Sequence, residues 1–87
     1  MAQVKTDPEA IVKIARELKQ MNDAIDASVK RVQSALRASN WDDPVRRDFE
    51  RNLESISRTV KNIQDVSNDC QKNLNRKAQQ LRDFLAR

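Results

Sequence analysis

The stretch Asn40-Trp41-Asp42-Asp43-Pro44 is the one place in 87 residues where signals that stop a helix and signals that start one meet. Proline lacks a backbone N–H, fixes its own φ and pushes the residue before it, Asp43, out of the α region, so a helix arriving from the N-terminal side has to end here. The same Pro44 suits the first position of a new helix, and Asp43 or Asp42 offers a carboxylate to the free N–H groups of its first turn. Asn40 is expected to close the earlier helix as a left-handed cap, because the chain has no glycine to do so. The reading is an all-α chain of two helices joined by a corner at 40–43 that carries the only tryptophan, Trp41.

Upstream of the corner, residues 1–6 carry no pattern and are expected to fray. Asp7-Pro8-Glu9 then combines an N-cap, a proline at the first helical position and an acid in the first turn. Ile11, Ile14, Leu18, Met21, Ile25, Val29, Val32 and Leu36 follow at spacings of three and four, which places them on one face of a helix over about 8–39, roughly 48 Å long. Ala24, Ala27, Ala35 and Ala38 beside that stripe are small enough to let another helix approach near the corner. Downstream, Val45, Phe49, Leu53, Ile56, Val60, Ile63, Cys70, Leu74, Leu81 and Phe84 repeat the pattern, predicting a second helix over about 44–86, roughly 64 Å long and overhanging the first. The core stripe is expected at Ile14, Leu18, Met21, Ile25, Val32, Leu53, Ile56, Val60, Ile63, Leu74 and Leu81. Pairs such as Glu9 with Lys13, Asp26 with Lys30, Asp43 with Arg47 and Glu54 with Arg58 are spaced to brace the exposed faces.

A second topology competes. If positions 14, 21, 28, 35, 49, 56, 63 and 70 are called a, and 11, 18, 25, 32, 53, 60, 74 and 81 are called d, one heptad frame runs through both helices without a phase shift, and at the corner only Asp42 and Arg46 break it. A single bent helix kinked at Pro44 would fit that frame at a cost of about 3 kcal/mol. The antiparallel hairpin is preferred because the proline, the Asp pair, the Asn and both charged frame positions fall together, and helices joined by a short loop pack on each other.

Composition narrows the function. With 38% apolar residues and three aromatics, a single domain of this size cannot bury a large core alone, so a partner chain is expected. No run is long and apolar enough for a membrane span, and no charged-then-apolar leader opens the chain. There is no His or Tyr, and the single Cys70 falls on the apolar stripe, where a thiol usually behaves as a small buried hydrophobe. No metal quartet or nucleophile–base pair can be built from what remains, and Asp42-Asp43 reads as helix capping before cation binding, so neither catalysis nor a cofactor or metal is expected. The net charge of +4 sits in the second half, which carries ten basic and six acidic residues against seven of each before Pro44. Lys72, Arg76, Lys77, Arg82 and Arg87 against Asp83 read first as a dipole-matched, solvated helix end and second as a weak attraction for acidic surfaces. Nucleic acid is not expected as a partner, because Phe49 and Phe84 lie on the stripe rather than among the basic residues.

Trp41 in the turn of a two-helix chain of this length, followed by Phe49 eight residues on, resembles the WXG superfamily of small proteins related to the early secreted antigenic target of mycobacteria. The family pattern is Trp-x-Gly followed by an aromatic at the same interval, and here it reads Trp41-Asp42-Asp43 and then Phe49. The resemblance implies a four-helix bundle made of two hairpins, as a homodimer or with a paralogous hairpin, and a substrate or partner of type VII-like secretion exported without a classical signal peptide. It implies a packing role for Trp41 at the hairpin end and a first-turn anchor for Phe49. Two departures stand out: Asp43 occupies the Gly position, and the family's C-terminal Tyr-x-x-x-Asp/Glu export signal has no counterpart in a chain without Tyr. The competing expectation is a cytoplasmic helical adaptor or chaperone-like protein that uses the same stripe for another helix. In either case Asn40, Trp41, Asp43, Pro44 and Phe49 form the turn and interface candidates.

Overall fold

A computed structural model of the chain describes residues 6–86. The chain is all-helical: α1 spans Pro8–Ala38 and α2 spans Pro44–Leu85. The fraying expected over 1–6 falls, except for Thr6, outside the described residues. Both helices begin as aspartate–proline starts. Asp7 has extended backbone and its Oδ1 accepts the Glu9 N–H at 2.9 Å, while Asp43, also extended, accepts the Arg46 N–H at 3.1 Å. Each carboxylate thus satisfies one of the donors that a helix start leaves free.

The end of α1 differs from expectation. Asn40 is not a left-handed cap, and no described residue has positive φ. Ser39 closes the helix instead, in extended backbone, with its N–H and its hydroxyl both donating to the Leu36 carbonyl at 3.2 and 2.7 Å. A hydroxyl reaching back three residues satisfies an orphan carbonyl without the steric cost that a non-glycine residue meets in the left-handed region.

The two helices run antiparallel as a hairpin inside an envelope of 66 × 20 × 19 Å. Glu9 at the start of α1 meets Arg82 near the end of α2 at 2.6 Å, and Asn22 meets Asn68 at 3.0 Å. The single bent helix is therefore not the fold. With 42 residues, α2 outruns the 31 of α1, and since Glu9 already reaches Arg82 most of the excess lies at the corner, where residues 39–43 fold back over it.

The seam between the helices corrects the expected core. Ile14, Met21, Ile56 and Ile63 are 53, 39, 49 and 44% exposed, and Val32 is exposed as well. The residues that face inward are the d row apart from Val32, including Leu18, Ile25, Leu53, Val60, Leu74 and Leu81, together with the row one residue after the expected a positions. That second row reads Ala15, Asn22, Val29 and Leu36 on α1 and Ser57, Gln64, Gln71 and Ala78 on α2. Ala15 and Ala78 of that row and Leu53 of the d row are the buried apolar residues among those described, and Asn22 and Ser67 the buried polar ones. The alanines that admit the close approach are thus Ala15 and Ala78, and not Ala24, Ala27, Ala35 and Ala38, which are exposed. Cys70 and Phe84, expected on the buried stripe, are exposed too. The physical reason is geometric: an apolar stripe this wide spans about 100° or more of helix surface, and one neighbouring helix covers only part of it.

Candidate interaction site: the corner and the apolar face

At the corner, five side chains form one cluster. The Trp41 indole Nε1–H donates to Asp43 Oδ1 at 2.8 Å, the same oxygen that caps α2. The Trp41 ring, half-buried, lies against Phe49 with centroids 5.9 Å apart and planes tilted by 39°. That distance suits an aromatic pair, whose quadrupoles disfavour a face-to-face sandwich. Arg46 closes the arrangement: Nη1 donates to the Trp41 carbonyl at 2.6 Å and Nε to Glu50 Oε1 at 2.8 Å. Pro44 starts α2, and Asn40 stands exposed beside the cluster without a cap role. Sequence reasoning found Trp41, Asp43, Pro44 and Phe49 but treated Arg46 only as a break in the frame. The signal was there, since an arginine at a frame position just past a corner has carbonyls within reach.

The rest of the surface divides into two unlike faces. On one, the outward rows of both helices come together. Met21 and Leu18 of α1 border a groove of about 370 Å³ with Ile63, Val66 and Cys70 of α2, and nearer the corner Ala24 and Val32 border another of about 590 Å³ with Phe49, Leu53 and Ile56. Ile14 and Val45 are exposed apolar residues toward the two ends. On the other face, Lys19, Asp23 and Asp26 of α1 and Lys61, Asp65 and Asn68 of α2 surround a polar groove. Asp26 pairs with Lys30 at 2.9 Å there, and the hydrogen bond, aided by the carboxylate charge, holds the Lys30 pKa above its ordinary value. Glu54 with Arg58 pairs as spaced, whereas Glu9 pairs with Arg82 rather than Lys13, and Asp43 bonds the indole and the backbone rather than Arg47.

Where that polar groove meets the seam lies a layer of amides that periodicity did not reveal. Asn22, 8% exposed, donates through Nδ2 to Asn68 Oδ1 at 3.0 Å and to the Gln64 carbonyl at 3.5 Å, and Gln64 Nε2 returns a bond to the Asn22 carbonyl at 3.2 Å. Gln71 Nε2 donates to Ser67 Oγ and Asn68 Oδ1 at 3.4 and 3.3 Å. Asn22 Oδ1 is buried without a partner. A sequence signal existed: in a chain that is 34% charged, the heptad rows 15-22-29-36 and 57-64-71-78 contain no charge at all.

Among the described residues no group of His, Cys, Asp or Glu is placed to hold a metal ion, and no helix is long and apolar enough to cross a membrane. What the described surface presents is an apolar face and an aromatic corner.

The family model for "proteins of 100 residues with WXG" matches residues 3–84 of the chain. No curated protein and no solved structure matches it. A match over nearly the whole length decides membership: the chain belongs to the WXG100 family, small helical proteins associated with secretion and without enzymatic activity.

Proposed function

We propose that this WXG100 chain acts by recognition as a pair of hairpins, joined through the apolar face into an antiparallel four-helix bundle that serves as substrate or partner of a type VII-like secretion system. The observation that carries the pairing is the outward row of Met21, Ile56 and Ile63 with Val66 beside it, gathered on one face while the opposite face is polar. Exposed apolar surface of this extent on a small domain usually marks a place where another chain sits. A second copy presents the same face, so a two-fold pair satisfies both surfaces with one contact. Family membership supports the secretion role, since members leave the cell without a signal peptide.

Light scattering on the purified chain at micromolar concentration tests the pairing. A mass about twice 10.1 kDa is expected, and a clean monomer with a sharp thermal transition would overturn it. Export is tested separately, by looking for the folded protein outside intact source cells. Strict retention would favour the adaptor reading, in which the same face takes a heterologous helix inside the cell.

A further inference from the structure

The seam of α2 poses a question that hydrophobicity alone answers wrongly. Ser57, Gln64 and Gln71 are the more buried row beside α1, while Ile56, Ile63 and Cys70, each one residue earlier and so about 100° around the helix, stand exposed on the apolar edge of the seam. A rotation of α2 by about 50°, with α1 following, would leave the d row still within the seam, bring the Ile63 row inward and send the glutamines to water. Burial of apolar surface favours that rotated hairpin, and so does release of the buried Asn22 amide, whose Oδ1 has no partner. Something must hold the helices in the less apolar arrangement. The only bonds among the described residues that cross the middle of the seam are those of the amide layer: Asn22 to Asn68, Asn22 to the Gln64 carbonyl, and Gln64 to the Asn22 carbonyl.

We infer that the Asn22–Gln64–Asn68 layer is an orientation key, which fixes the rotation of each helix about its own axis and so keeps the Met21 and Ile63 row on the outside. Two of its three bonds end on backbone carbonyls, whose positions turn with the helix, so each is broken by rotation and not merely by separation. The arrangement sacrifices some stability of the lone hairpin for a surface of defined shape, the use for which buried polar groups in helical seams are best attested. The layer thus deepens the pairing proposed above, which supplies the reason for keeping such a row outside, but its geometry can be read without any partner.

The sole cysteine reports it. Cys70 belongs to the outward row and is exposed, so its rate of reaction with a thiol reagent follows the rotation of α2. The measurement compares the full chain with the doubly substituted Asn22→Leu, Gln64→Leu form, at dilutions where each runs as a monomer. Labelling of Cys70 should slow by at least about tenfold in the variant, because a thiol turned into an apolar seam is far less reactive than an exposed one. An unchanged rate in a variant that keeps its helical circular dichroism would overturn the key. Should the leucines prevent folding, Asn22→Ala with Gln64→Ala removes the amides without adding bulk, and the same slowing is required of it. Failure of the pairing would show differently, as a monomer of the unsubstituted chain at every concentration with the labelling difference intact.

Discussion

Asp43 carries more of the corner than any other side chain, since one carboxylate oxygen accepts both the Arg46 backbone N–H and the Trp41 indole N–H. In the family pattern this position is glycine, which can also precede a helix but offers no acceptor. The substitution therefore exchanges backbone freedom for a bond that orients the tryptophan. Asp43→Asn, which retains a capping oxygen, should lose less than about 0.5 kcal/mol in chemical denaturation, and Asp43→Ala about 1 to 2 kcal/mol. Asp43→Gly should fall between them, because glycine at an N-cap costs only a few tenths while the indole still loses its acceptor. An order with Gly as the most stable form would mean that the acceptor contributes nothing. Trp41 itself is half-buried on Phe49, so Trp41→Ala should destabilise by about 1 to 3 kcal/mol, below the range for an enclosed aromatic. A loss under about 0.5 kcal/mol would recast the indole as a contact kept for another protein.

On the scale of the helices, starts were legible and packing was only half so. Asp7-Pro8 and Asp43-Pro44 name their roles through local chemistry, because a capping carboxylate and a proline at the first helical position act within one turn. The d row was legible for the same reason that any apolar period is. Which neighbouring row turns inward was not, since Ser57, Gln64, Gln71 and Ala78 are chosen by contacts across the seam, such as Gln64 with Asn22, 42 residues away, and a period calculated along one helix does not see them. The tie between Glu9 and Arg82 was hidden likewise, behind the nearer Lys13. Ile63 distinguishes the two rows by experiment. As an outward residue, Ile63→Asp should leave the monomer's helical signal intact and shift its stability by less than about 1 kcal/mol, while abolishing association in light scattering. If Ile63 were a seam residue, the same change would bury an unpaired carboxylate and unfold the hairpin outright.

For the molecule as a whole, the shape sets the energetics. A rod of 66 × 20 × 19 Å with a single helix–helix seam has, among the described residues, only Ala15, Leu53 and Ala78 as buried apolar residues. Small domains of this kind lack the burial to offset the entropy of ordering the chain, and exposed ion pairs such as Lys19 with Asp23 add little, each worth about 0.2 to 0.5 kcal/mol. On the proposed pairing the apolar face adds to this stabilisation, and a face covered only by association makes stability a function of concentration. For a pair that unfolds to two chains, mass action ties the midpoint to protein concentration: each tenfold rise adds about 1.4 kcal/mol to the folded side, which for two chains of this length moves Tm by about 3 to 5 °C. Thermal unfolding followed by circular dichroism over two decades of concentration should show that slope, and Ile63→Asp should flatten it while lowering Tm to the value of the lone hairpin. A Tm that stays constant with concentration in the unsubstituted chain would mean that the single seam, amide layer included, holds the fold unaided, and the apolar face would then have to be assigned to a partner other than a second copy.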